Sequence, residues 1–409
     1  MDVFNGLTEP AASRLRASEL APYVQPFWDR LTELQYSRST VRQYLNCLAH
    51  FALWSRRRPF DLRALDRLAV NFIDQHLPCC TCTAPVQRSR HQVRTALRHL
   101  MTVARSAGVQ LDSRHVGPID EQLRRFDDYL LHSKGLAGST RLKRITVIRA
   151  LLRMKSSAAT PSADDLRQFL TQELSRVSAA SGGATATAVR SYLRFRAFEG
   201  DPVEHLLPVV GAPANWRLAP LPETLSSDEV NRLLDAFPVD LPSRLRCYAL
   251  VRCVVDLGLR SSEVIALALD DIDWIAGTVR ISKSKSRRVD LLPLPHLTGA
   301  AIADYLRSER PRTASRLVFV RHVAPVDEPV AADVVRRAVR AAYRRAGLPY
   351  TRVHILRHTL ASRLLNTGGT LKEVADMLRH RELNTSLIYA KVDFGRLGEV
   401  AMPWPGSRP

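Results

Sequence analysis

Residues 201–227 read DPVEHLLPVVGAPANWRLAPLPETLSS and carry Pro202, Pro208, Pro213, Pro220 and Pro222. Proline has no backbone N–H, and its ring collides with the preceding helical turn, so neither a helix nor a central strand can run through such a segment. It reads as an extended connection, set at 206–223, and it splits the 409-residue chain into two folding problems.

The half before the linker looks all-helical and internally repeated. LTELQYSRSTVRQYLNCLAHFALW matches LLHSKGLAGSTRLKRITVIRALL in outline, each with a polar turn and then Ser39-Thr40 or Ser139-Thr140 as expected caps of an amphipathic helix. RLAVNFIDQHL pairs with ADDLRQFLTQEL, and RHLMTVARSAG with RSYLRFRAFEG. The offset falls from 100 residues (Ser39 to Ser139) to 92 (Arg98 to Arg190), as loop changes in a duplicated unit produce. We expect an N-terminal helical domain over 1–115, an added copy of the helical domain at 116–205.

After the linker, Ser226 and Glu229 have capping-box spacing and restart a helix. Thr370 and Glu373 repeat that spacing further on. The pattern stays helical except at GTVRISKSKSRRVDLLPLP, where β-branched runs flank a basic turn and signal a hairpin. The expected fold class is mainly α with a small β-hairpin, an α+β C-terminal domain over 224–395 followed by a tail, 396–409.

Lys and Arg number 60 against 40 Asp and Glu, a formal net charge of +20. A chain this basic usually meets a polyanion, most often nucleic acid. No apolar run reaches the roughly 18 residues of a membrane span, and MDVFNGLTEP does not have the layout of a secretory signal. The expected compartment is a reducing cytoplasm, in association with the nucleoid. Of six cysteines, Cys47, Cys247 and Cys253 fall in apolar helical patterns. Cys79, Cys80 and Cys82 crowd into PCCTC, with His76 and His91 as possible fourth ligands, yet the spacing fits no paired-ligand zinc pattern. The expectation there is a reduced loop, with no metal and no cofactor.

Four C-terminal pieces carry chemistry. In DLGLRSSEVIAL a helix ends at Gly258, Arg260 follows at the junction, and Glu263 lies one turn on. Lys283, Lys285, Arg287 and Arg288 crowd the hairpin turn. In VHILRHTLASRLL, His354 and Arg357 share a helix face while Leu356, Leu360 and Leu364 form the core row. No carboxylate stands nearby in sequence, so these cations await an anion; His358 is turned away and reads as a core or supporting histidine. Last, His380 follows the helix of LKEVADMLRH, and Tyr389 comes nine residues later.

In that order these residues resemble the tyrosine recombinase (phage integrase) family, over roughly 222–395. The resemblance implies helical DNA-binding domains joined to a tyrosine recombinase catalytic domain, with 116–205 as the core-binding domain. It implies Arg260, Lys285, His354, Arg357, His380 and Tyr389 as catalytic residues, Tyr389 being the nucleophile. Glu263 is the supporting acid and Lys283 a rival to Lys285. Two departures stand out: Arg379 and Ser284 occupy places where the family often has glycine. The implied activity is site-specific recombination, as a mobile-element integrase or transposase, through a 3′-phosphotyrosyl intermediate without metal or ATP. The implied partners are double-stranded DNA carrying the recombination site, further copies of the chain in a tetrameric synapse to which the tail contributes, and related recombinases of the same element. A type IB topoisomerase-like enzyme and a catalytically silent DNA-binding accessory protein are the alternatives.

Overall fold

The computed structural model describes residues 3–4, 7–56, 58, 60–83, 86–112, 117–214, 221–282, 289–326, 328–380 and 386–390. The chain divides into two compact units, one of residues 7–23 and 46–217, the other of 1–6, 24–45 and 218–409. No helix of the described residues is long and apolar enough to cross a membrane.

Before α10 the described residues are mainly helical, as their periodicity requires; short 3-10 or π turns also cover Leu62–Ala64, Phe72–His76, Leu77–Cys79 and, within the segment expected to be extended, Glu204–Val209. Helices α1 (Glu9–Arg16), α2 (Ala21–Glu33), α3 (Arg38–Ser55), α4 (Leu65–Asn71) and α5 (Arg90–Ser106) come first. Then follow α6 (Pro118–Asp128), α7 (Gly138–Lys155), α8 (Ala163–Leu174) and α9 (Ala179–Phe198). The order α2–α5 is repeated as α6–α9, and α3 and α7 are both 18 residues long. The caps differ from expectation. Thr40 N–H donates to Ser37 Oγ at 3.3 Å, and α7 opens after Ala137 with no side-chain cap. Ser39, Thr40, Ser139 and Thr140 therefore lie inside their first helical turns. Helices α6–α9 share a core built on Phe126, Leu151, Phe169, Val189 and Tyr192.

The C-terminal part opens with α10 (Ser227–Asp235), started by the expected capping box of Ser226 and Glu229. Next come α11 (Arg244–Leu257), the single turn α12 (Ser261–Val264), and strands β1 (Ile272–Asp273), β2 (Thr278–Ile281) and β3 (Asp290–Pro293). The strands form one antiparallel sheet in the order β1-β2-β3, with Val279 opposite Leu292 and Ile281 opposite Asp290. Val279, Ile281 and Leu292 point into the core while Arg280 and Leu291 point out, the alternation a half-buried sheet needs. The hairpin is as expected; β1 adds a strand the sequence pattern did not announce. Helices α13 (His296–Ser308), α14 (Ala332–Arg345), α15 (His354–Asn366), α16 (Leu371–Met377) and α17 (Leu387–Ala390) complete the fold.

α11 is apolar almost all round, with Ala249 to Val255 buried, so it can only be central. α13, α14 and α15 pack on it. Its Arg252 is buried but donates to Asp256 at 2.8 Å, and Asp256 in turn accepts from Thr298 Oγ1 at 2.6 Å. The helix stops at Gly258, whose φ of +57° lies in the left-handed region. A Cβ at this position would stand 2.9 Å from Leu360 Cδ2 and 3.0 Å from Leu378 Cδ2. Both the turn and the close approach of α15 and α16 thus require glycine.

Gly258→Ala should destabilise the protein by about 2–4 kcal/mol, combining left-handed strain with overpacking. A lower denaturant midpoint at unchanged m-value is the expected result; an unchanged midpoint would mean that Leu360 and Leu378 retreat freely.

Candidate active site

Gly258 is followed directly by the first site residue. Arg260 is the N-cap of α12, and its backbone N–H donates to Glu263 Oε2 at 2.9 Å. Its guanidinium Nη1 donates to Glu263 Oε1 at 2.6 Å, so one carboxylate both starts the helix and aims the arginine. Glu263 is 1% exposed. It has a second guanidinium on it, Arg379, whose Nη2 donates to Oε2 at 2.9 Å. Burial works against the Glu263 charge, but Arg379, the Arg260 amide and the Arg260 guanidinium outweigh it and hold the carboxyl below its usual range.

Arg357 comes in from the first turn of α15 and is 5% exposed. It is not left bare, as its local sequence suggests. Nη1 donates to the Gly258 carbonyl and Nη2 to the Leu378 carbonyl, tying the ends of α11 and α16 together. Burial first, then Arg260 and Arg379, push its pKa down to about 9, which still leaves it charged at neutral pH. Arg379 also donates to the Gly258 carbonyl, at 3.3 Å, and to the Met377 carbonyl at 2.9 Å. Its own backbone has φ +54°. That is the physical meaning of the family's frequent glycine at this place: the turn between α16 and His380 needs a left-handed residue. Here arginine accepts the strain, and its side chain enters the site.

Tyr389 sits on α17, 2% exposed, packed against Ala361, Leu365, Val374 and Leu378. Its hydroxyl lies 2.8 Å from His358 Nδ1. The His380 ring is parallel to the phenol, with centroids 6.4 Å apart, and His380 Nδ1 bonds Ser386 Oγ at 2.7 Å. Burial raises the phenol to about 12, while Arg357 and Arg260 pull the other way. Burial, with the site's cations, lowers both His358 and His380 to about 4, so both rings are neutral at pH 7. If the phenol donates to Nδ1, the His358 proton is on Nε2. A groove of about 540 Å³ opens beside this cluster, lined by Asp290, Leu292, Asp376, Arg379 and His380 among others.

The structure therefore brings together Arg260, Glu263, Arg357, His380 and Tyr389. His354 is exposed at the start of α15, one turn before His358, and its charge depresses the His358 pKa. Lys283 and Lys285, with Arg287 and Arg288, lie outside the described residues, as does the tail 396–409. Sequence reasoning missed two residues. His358, one position after Arg357, reads in sequence only as a core or supporting histidine, yet it contacts the tyrosine hydroxyl directly. Arg379 stood only as a departure from glycine, yet it bridges Glu263 and Gly258.

The profile of the Phage integrase family matches residues 223–396. Over nearly its whole length the chain resembles the putative integrase/recombinase y4rA of Sinorhizobium fredii, 34% identical with 97% of each chain covered. Among solved structures it resembles a lambda integrase dimer bound to a COC′ core site, at 20% identity and TM-score 0.51, over 68% of this chain and 96% of that one. The Tn1549 transposon integrase in complex with circular intermediate DNA matches at 17% identity and TM-score 0.51, over 68% and 99%.

Arg379→Gly sets two effects against each other. It relieves a left-handed arginine, about 1 kcal/mol, but strips a guanidinium from a buried carboxylate, about 3–5 kcal/mol. We expect a net loss of about 2–4 kcal/mol; a gain in stability would mean that backbone strain dominates. A pH series checks the histidines. The unfolded chain binds protons on these rings near their ordinary 6.5 and the folded chain only near 4. Their contribution to stability is therefore complete above about pH 6.5 and is lost as pH falls towards 4. His380→Gln should flatten the denaturation midpoint across that window.

Proposed function

Because this chain belongs to the phage integrase family, the tyrosine recombinases, we propose that it cuts and rejoins DNA at specific sites with Tyr389 as its nucleophile. The observation that carries the assignment is the placement of the phenol among two guanidiniums and two neutral imidazoles. The Tyr389 oxygen attacks a backbone phosphorus, the bond to the 5′ oxygen breaks, and a 3′-phosphotyrosine is left. The phosphodiester energy is retained in that bond, so a second DNA end can attack it and rejoin without ATP.

Each residue has a role that its chemistry supports. Attack builds negative charge on the non-bridging oxygens, which Arg260 and Arg357 stabilise through planar N–H forks that lysine cannot reproduce. A phenol at about 12 does not ionise alone at neutral pH. His358, at hydrogen-bond distance and unprotonated, accepts its proton, and the guanidinium charges favour the phenolate. His354 and His380 donate hydrogen bonds to the phosphate oxygens. Lys285, or its rival Lys283, protonates the leaving 5′ oxygen. No metal takes part in the reaction. A hydroxyl as covered as that of Tyr389 meets a phosphate only when α17 shifts, so engagement of DNA uncovers the nucleophile.

The rest of the chain fits the same activity. The helical units 1–115 and 116–205 grip the duplex together with the catalytic domain 224–395, across the linker 206–223. The net charge of +20 supports a polyanionic partner. Exchange between two duplexes needs four cuts, so four copies assemble on DNA, with the tail 396–409 reaching a neighbouring subunit and related recombinases of the same mobile element joining the synapse. The place of action is the nucleoid in the cytoplasm.

Tyr389→Phe should bind the recombination site normally and form no phenol-extractable protein–DNA adduct; an adduct from this variant would move the nucleophile elsewhere. Arg260→Ala and Arg357→Ala should each slow cleavage by at least about 10²–10³-fold, the loss typical of one preorganised oxyanion donor. A 5′-thiolate leaving group needs no proton, so it should rescue Lys285→Ala and not Lys283→Ala.

A further inference from the structure

The cysteine-rich loop is far from idle. His50 on α3, His76 just beyond α4, and Cys80 and Cys82 of PCCTC point their ligand atoms at one spot, all four within 4.8 Å of one another. His50 Nε2 lies 3.3 Å from His76 Nε2 and 3.3 Å from Cys80 Sγ, and His76 Nε2 lies 3.5 Å from Cys82 Sγ. Zn–N of about 2.05 Å and Zn–S of about 2.3 Å in a tetrahedron put N···N edges near 3.3 Å and N···S edges near 3.6 Å. The observed N···N edge equals the first value, and the two N···S edges, 3.3 and 3.5 Å, lie within about 0.3 Å of the second. From this geometry we propose that His50, His76, Cys80 and Cys82 bind a structural zinc ion.

Three further observations support a built site. His50 is fully buried, and its other ring nitrogen, Nδ1, is 2.8 Å from the Gln87 carbonyl. A proton on Nδ1 donated to that carbonyl leaves the Nε2 lone pair facing the cluster, the supporting contact that metal-bound histidines nearly always have. Phe72 packs against both rings, edge-on to His50 at 5.0 Å and stacked on His76 at 5.2 Å, which fixes their planes. Arg88 and Arg14 donate to the Cys82 and Thr83 carbonyls at 3.3 Å and hold the loop. Two thiolates and Zn²⁺ sum to zero charge, so these guanidiniums meet no net cation.

The need for such a tie shows in the comparison of the two helical copies. In the second, α8 and α9 are joined by residues 175–178 alone. In the first, ten residues, 80–89, separate Cys79, where a 3-10 turn ends, from the start of α5 at Arg90. A connection of that length is long for two packed helices, and a metal that ties Cys80 and Cys82 to α3 shortens its free span. The second copy has no cysteine at all. Four protein ligands leave no open position, so the ion is structural and separate from the recombination chemistry.

Full-length protein purified without chelator should contain about one zinc per chain by elemental analysis, released in step with thiol modification by a mercurial. Cobalt(II) exchange should give the intense visible bands and thiolate charge transfer of a four-coordinate S₂N₂ site. Cys82→Ser should lower metal content at least tenfold, whereas Cys79→Ser, whose thiol turns back to the Gln75 carbonyl at 3.1 Å, should keep it. Should Cys82→Ser fail to fold, the wild-type metal content and cobalt spectrum decide alone. Wild-type protein holding less than about a tenth of an equivalent, with no four-coordinate cobalt spectrum, overturns the proposal; so does equal metal loss in Cys79→Ser.

Discussion

The proposed active site depends on one buried carboxylate. Glu263 is almost inaccessible to water, and an isolated charge in such a place would neutralise itself. It stays ionised because Arg260 and Arg379 converge on its two oxygens. The reverse also holds: three guanidiniums could not crowd together without that negative charge and the Gly258 carbonyl, which accepts from both Arg357 and Arg379. Remove the carboxylate and the arginines repel. Remove the arginines and the carboxylate must take a proton. This mutual requirement fixes the end of α11, the start of α12 and the turn after α16 relative to one another.

Within that frame Tyr389, the proposed nucleophile, is buried. Its hydroxyl is bonded to an imidazole that burial keeps uncharged, beside guanidiniums held by carbonyls and Glu263. The arrangement keeps cationic charge next to the phenol while covering the phenol from solvent. The same device, burial with compensating contacts, lowers both histidines to about 4 and raises the tyrosine to about 12.

The helical half follows a different logic. The helix order α2–α5 recurs as α6–α9, and the two stretches close differently. The second uses a short connection and an apolar core of Phe126, Phe169 and Tyr192. In the first, Cys80 and Cys82 of the longer connection gather with His50 and His76, all four ligand atoms within 4.8 Å of one another.

Much of this was legible in the residues. The 3.6-residue periodicity gave the helices, and the Ser226–Glu229 and Thr370–Glu373 boxes gave true helix starts. The hairpin followed from the local pattern, while the set Arg260, Arg357, His380 and Tyr389 was reached through the resemblance to the tyrosine recombinase family. His358, Arg379 and His50 were not. Each acts through a contact with a residue distant in sequence, and periodicity records only which face a side chain occupies, not what meets it. Side-chain identity and local backbone preference are encoded along the chain; the pairing of His358 with Tyr389, of Arg379 with Glu263 and of His50 with the cysteine loop arises only when separate helices pack. A left-handed arginine in particular contradicts local preference, and only the buried carboxylate it reaches explains it.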